Sequence, residues 1–208
     1  MSLISVKNHN RIIVLIRVFL GLIFFTAGMS KLYADHAFLG IIGPVWLEDE
    51  LAKHQLGLYA RFIAGSQVVA GLLLFSQRFA TLGAILNFPI ILNIFVVTVS
   101  LQWQGTPYVN FILLLLNAWL LAYDYPKLKF ILTDEPAPLK SLPLKRKQPK
   151  ADMIWALAAT LMLLSILASQ LNQILAWTMC AAGVLTVVLN QISQNHLKKY
   201  KAVEEHNA

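Results

Sequence analysis

The sequence predicts an all-α integral membrane protein: a four-helix transmembrane bundle followed by a C-terminal transmembrane hairpin, six spans with both termini cytoplasmic. Three observations predict it. Hydrophobic residues make up 58% of the chain and charged residues 13%, where an ordinary soluble domain carries about 25% charged. The apolar residues gather in six runs, each close to the ~20 residues that cross a ~30 Å hydrocarbon core. Lys and Arg collect in alternate connections between those runs, the bias that orients membrane helices. Helix is the economical conformation for each run, because hydrocarbon offers no partner to open backbone groups.

The spans read as 12–32, 58–76, 79–101, 108–124, 152–169 and 174–193. In the first, Arg17 interrupts the apolar run early and Lys31 ends it without a small-x-small cleavage site. It therefore reads as a retained helix rather than a signal peptide. Six spans place Lys7, Arg11, Arg78, the seven basic residues from Lys127 to Lys150, and Lys198, Lys199 and Lys201 inside. Only Lys31 and Lys53 fall outside, beside Asp35, Glu48, Asp49 and Glu50. Five spans would strand the terminal lysines on the wrong face. Between the first two spans, Phe38, Leu39, Ile41, Ile42, Trp46 and Leu47 are broken by Gly43-Pro44. That segment is too short to cross and is expected to lie in the interface, with Trp46 as an anchor.

Four regions follow: a membrane unit over 1–125, a basic Pro-rich cytoplasmic linker over 126–150, a transmembrane hairpin over 151–195 and a cytoplasmic tail over 196–208. The linker carries Pro126, Pro136, Pro138, Pro143 and Pro149, a composition for a flexible connection. Its lysines are placed to sit on anionic headgroups, so membrane lipid is the expected partner, each lysine contributing on the order of 1 kcal/mol. The tail is expected to be disordered or a frayed helix end.

Several functions are disfavoured. The net charge is +7, but no basic run is interleaved with aromatics as a nucleic-acid surface requires. The single cysteine, Cys180, rules out an intramolecular disulfide, a CxxC redox centre and a cysteine-based zinc site. It reads as a small packing residue. The histidines His9, His36, His54, His196 and His206 lie outside the spans without ligand spacing, so no metal or haem site is expected. No phosphate loop or nucleophilic triad stands out.

The informative residues are polar ones within the spans, which normally face a bundle interior. In the first helix Arg17, Gly21, Phe24, Gly28 and Lys31 recur at helical spacing on one face. The two glycines admit a close neighbour, and Arg17 and Lys31 lie ~21 Å apart along the axis. Asn110, Asn117 and Asp124 make a seven-residue stripe in the fourth span. The second span presents Ala60, Ala64, Gln67 and Gly71, and the third carries Asn87 and Asn93 around Pro89, a position that permits a kink. The first helix runs outward and the fourth inward, so Arg17 and Asp124 meet near the cytoplasmic end as an expected ion pair. In the outer half Gln67, Asn93 and Asn110, with Asn117 on the same stripe, are expected to line a ligand cavity capped by Lys31, Arg61, Trp103 and Tyr108. The bland alternatives are interhelical hydrogen bonds, interface-belt aromatics and a snorkelling Arg61.

The run Arg17-Val18-Phe19-Leu20-Gly21, continuing to Ala27-Gly28-Met29-Ser30-Lys31-Leu32, resembles the opening R-x-x-x-G…G-x-x-K-L pattern of the DoxX-like membrane proteins. Gln67 to Leu74, followed by Arg78, is similar to that family's E-x-x-x-G-x-x-L segment and basic turn. Gly105-Thr106-Pro107 and the close on Tyr123-Asp124-Tyr125 look like a DoxX-type end. The resemblance covers about residues 12–125. It implies a four-helix bundle in a bacterial cytoplasmic (inner) membrane, with some members serving quinone-linked sulfur or thiol redox systems. Gln67 stands where the family often has Glu, and the final hairpin lies beyond the usual unit. That hairpin reads as a packing or partner-docking addition.

Function on these grounds is an accessory or ligand-binding subunit, holding quinone or lipid and supporting a membrane redox partner. No other cofactor is evident, and oligomeric state is open. Two alternatives stay open: a quinone-linked oxidoreductase holding an anionic substrate on Lys31 or Arg61, and a small transporter or channel, for which Pro89 is the sole hint of a broken helix.

Overall fold

The computed structural model describes residues 3–43, 45, 47–132 and 149–207. The described elements are α1 (Leu3–Leu32), a 3-10 turn (Ala34–His36), α2 (Leu47–Lys53), α3 (Gly57–Phe75), α4 (Ala80–Ser100), α5 (Thr106–Tyr123), α6 (Tyr125–Leu132), α7 (Pro149–Ala168) and α8 (Gln173–Asn207). No strand occurs among the described residues. Six helices among them are long and apolar enough to cross a membrane: Asn10–Leu32, Gly57–Phe75, Ala80–Ser100, Thr106–Tyr123, Pro149–Ala168 and Gln173–Gln194. The chain is a multi-pass membrane protein by that measure.

Two compact units divide the chain, Met1–Asp134 and Glu135–Ala208. In the first, α1 packs along α3, α3 against α4, α4 against α5, and α5 returns to α1. The α1–α3 seam is the tightest. A Cβ built on Gly21 would collide with the Phe75 backbone, and one on Gly71 with the Phe25 backbone; at Gly28 it would lie 2.5 Å from the Ala64 carbonyl. Only glycine permits backbones to approach this closely, which in a lipid environment is a principal source of helix association. Leu20, Leu74, Ile91 and Leu120 fill the space between the four helices.

The radial order is inverted relative to a soluble bundle. Gln67, Asn87, Asn117 and Asp124 are buried, whereas Leu15, Leu58, Phe62 and Leu115 are each more than half exposed. Exposed apolar surface of this extent is stable only against hydrocarbon or another apolar surface.

Three segments depart from the sequence expectation. Residues 40–43 do not simply rest in the interface. The Ile41 N–H donates to Thr26 Oγ1 at 3.3 Å, Ile42 packs against the core, and a Cβ on Gly40 would meet Ser30 Oγ at 2.8 Å. The segment thus folds back along α1 to a point about 9 Å below its end at 1.5 Å per residue, drawn in by the burial of Ile42. The linker begins with α6, whose turn is closed by Lys127 N–H on the Asp124 carbonyl at 2.8 Å; Pro126 sits in the first turn, where its missing N–H costs nothing. The tail expected to be disordered or frayed is helical to Asn207. Pro44, the expected Trp46 anchor and the linker over 133–148 lie outside the described residues.

The second unit is the α7–α8 hairpin. Asn172 Oδ1 caps α8 by accepting from the Ile174 and Leu175 N–H groups at 2.9 and 3.2 Å. Ala158, Met162 and Gly183 mark the close contact, Asn190 Nδ2 donates to the Ala151 carbonyl at 3.0 Å, and Cys180 is buried.

Candidate functional site

The polar residues of the first unit divide by depth into three groups. At one end of the bundle, Arg17 Nη2 lies 2.5 Å from Asp124 Oδ2. Thr81 Oγ1 donates to the same oxygen at 2.9 Å, and Lys127 Nζ reaches Oδ1 at 2.6 Å. The Asp124 side chain is fully buried and Arg17 nearly so, whereas Lys127 is largely exposed. Burial pushes the Asp124 carboxyl up. Hydrogen bonds from Lys127 and Thr81 and the charge and hydrogen bond of Arg17 outweigh it, holding the group below the usual carboxylate range. This cluster ties α1, α4, α5 and α6 together and leaves no open acid for chemistry.

Midway along the bundle, Asn117 Nδ2 donates to the Ala84 carbonyl at 2.9 Å, and Asn87 Nδ2 donates to Asn117 Oδ1 at 3.3 Å. Both side chains are fully buried. Asn117 therefore clamps α5 to α4 and does not line the ligand cavity, despite sharing a stripe with Asn110.

Toward the other end a cavity of about 150 Å³ opens between α1, α3, α4 and α5. Lys31, Gln67, Thr98, Trp103, Thr106 and Asn110 supply its polar edges, and Ile23, Phe24, Ile94 and Leu113 its walls. The returning residues Ile42 and Gly43 close one side. Lys31 Nζ donates to Gln67 Oε1 at 3.0 Å, and no carboxylate pairs with Lys31 among the described residues. The Lys31 residue is only 8% exposed. A buried ammonium held by a neutral amide oxygen is an incomplete arrangement, since buried charges are normally paired. Asn110 is 7% exposed, and its Nδ2 is buried without a partner. An amide donor left unmade costs about 1–3 kcal/mol, so both groups are set to hold an acceptor inside the cavity. Thr98 Oγ1 donates to the Phe95 carbonyl at 2.9 Å, leaving its lone pairs toward the same space.

Three other expected members lie elsewhere. Arg61 is exposed and bound through Nε to Glu48 Oε1 of α2 at 2.6 Å, so its charge is spent on the α2–α3 corner. Tyr108 is 76% exposed and does not cap the cavity. Asn93 is exposed on α4 and accepts a hydrogen bond from the Tyr59 hydroxyl; both line a separate small space beside Lys31. Sequence reasoning grouped these by rough depth, which does not specify the direction a helix face points. It also missed Thr81, Thr98, Thr106 and Ile42. Threonine in an apolar helix commonly bonds its own preceding turn, and nothing periodic marks the returning segment.

The cavity is small. Its volume lies below the ~300 Å³ at which pockets enclose whole drug-sized ligands. Compared with protein-family models, curated proteins and solved structures, the chain matches none.

Proposed function

We propose that the protein is a membrane-embedded binding subunit, and that its outer-half cavity holds the acceptor-bearing headgroup of a membrane-dissolved amphiphile, an anionic lipid or a quinone. The topology belonging to this reading is a four-helix unit with an added C-terminal hairpin, both termini cytoplasmic, in a bacterial inner membrane. The resemblance to DoxX-like proteins supplies the redox setting, an accessory role beside a redox partner.

One observation carries the reading. Two hydrogen-bond donors, the Lys31 ammonium and the Asn110 amide, line one cavity, where the amide nitrogen is buried and unpartnered and, among the described residues, no carboxylate answers the ammonium. Together they recognise an oxygen-rich head carrying negative charge or carbonyl groups. Ile23, Phe24, Ile94 and Leu113 supply apolar wall beside them.

Native mass spectrometry of the gently extracted protein tests it. The wild type is expected to carry a one-to-one amphiphile adduct, and Lys31→Met or Asn110→Leu to lower its occupancy on the order of tenfold, as loss of a charge-assisted or buried hydrogen bond predicts. Wild-type protein free of any adduct, or variants that carry as much adduct as the wild type, would contradict the proposal.

A further inference from the structure

A lipid-facing groove of about 600 Å³ runs between α3 and α4, lined by Phe62, Ile63, Val69, Leu86, Ile90 and Asn93. Its walls are apolar except at Asn93 and at Ser66, whose hydroxyl is spent on the Phe62 carbonyl. Beside the Asn93 end lies a void of about 20 Å³, room for roughly one water molecule, lined also by Glu48, whose charge is taken by Arg61. The groove and the void share Ile63 and Asn93; the void and the headgroup cavity share Lys31 and Ile94. The three spaces are therefore neighbours, in the order groove, void, cavity, and the last two border Lys31. Where groove and void adjoin, the Tyr59 hydroxyl donates to Asn93 Oδ1.

Two backbone features favour movement along this seam. Pro89, on the groove wall, has no N–H, so the Ile85 carbonyl lacks its helical partner and α4 bends there at lower cost. Gly65 stands in the groove wall with nothing within 4 Å of a built Cβ. Unlike Gly21 and Gly71, it holds space that no part of the protein fills.

We infer that the ligand is a single-chain amphiphile with an anionic head, loaded sideways from the bilayer through the α3–α4 seam. Its tail lies in the groove, and its head reaches Lys31 past the Tyr59–Asn93 latch. This rests on the headgroup reading above and adds the tail, the route and the chemical class. A cation buried without a carboxylate partner selects the anionic head. The groove's apolar lining and its adjacency to the cavity through the void select the chain. Counted from water, each methylene buried there strengthens binding by a factor of about four; for a chain already in hydrocarbon the groove adds packing contacts alone.

Equilibrium binding of tritiated stearate to the full-length protein in detergent, with hexanoate as the short-chain competitor, tests the inference. Saturable stearate binding is expected in the wild type, with hexanoate at least about a hundredfold weaker by the same methylene factor. Gly65→Phe fills the groove without touching the cavity and is expected to weaken stearate on the order of tenfold. Ser66→Leu, on the same wall, is the second reading should the first variant fail to fold. If both folded variants bind stearate as the wild type does while Lys31→Met loses it, the tail route is wrong and the headgroup site stands. Displacement of stearate by equimolar hexanoate would likewise overturn the route, since the chain would then contribute nothing. Absence of saturable stearate binding in the wild type overturns the inference, whereas the adduct measurement decides the headgroup site independently.

Discussion

Asp124 shows how much one side chain organises. Its two oxygens take Arg17, Thr81 and Lys127, so removing its charge strands the nearly buried Arg17. Asp124→Asn is expected to destabilise the protein by about 3 kcal/mol, measured by unfolding in mixed detergent. Lys127→Ala, whose ammonium is largely exposed, is expected to cost under about 1 kcal/mol. Because the folded carboxyl is held below its usual range, its stabilisation is complete above the unfolded value of about 3.9 and is lost as pH falls through the lower folded value. The acid limb of stability should therefore steepen below about pH 4 in the wild type and flatten in Asp124→Asn; equal acid limbs would contradict this. The Arg17–Asp124 pair was legible because opposed helix directions put both residues at one depth. Thr81 was not, since a hydroxyl in an apolar helix carries no mark of reaching across.

Among the helices, the glycines separate two physical roles that one residue type conceals in sequence. Gly71→Ala drives a methyl into the Phe25 backbone and is expected to lower stability by about 1–3 kcal/mol. Gly65→Ala meets open space and gains helix propensity, an expected increase of about 0.5–1 kcal/mol. Opposite signs in the same denaturation assay are the expected outcome; two equal losses would contradict the seam assignment. Periodicity gave Gly21 and Gly28 as close-approach sites and put Gly71 on a common face with Ala60, Ala64 and Gln67, because the small residues recur on one face. It did not separate Asn117 from Asn110. A seven-residue spacing shares a face but displaces the side chain by about 10 Å along the axis, enough to move it from the cavity to the Ala84 clamp. Residues 40–43 were illegible for a different reason: a short apolar stretch broken by glycine has no period to read, and only tertiary burial of Ile42 reveals where it goes.

At the scale of the whole chain, the central relation is an apolar exterior around an interior that holds a few buried polar groups within apolar packing, among them the unsatisfied Asn110 Nδ2. Its topological consequence is testable in a Cys180→Ser background. A cysteine at Gln55 is expected to react with an impermeant maleimide from the outer face of intact cells, and one at Lys201 only after lysis; reaction of both from outside would contradict the proposed sidedness. The six-helix count was legible because hydrocarbon thickness and span length are coupled directly. The lining of the cavity was legible only as far as Lys31, Gln67, Trp103 and Asn110, the residues whose faces and depth both coincide. The most direct measurement is a crystal structure of the full-length protein grown from native-like lipid. It should show a headgroup oxygen within about 3.2 Å of both Lys31 Nζ and Asn110 Nδ2. A cavity holding water alone, with the Lys31 ammonium turned out to the interface, would contradict the account.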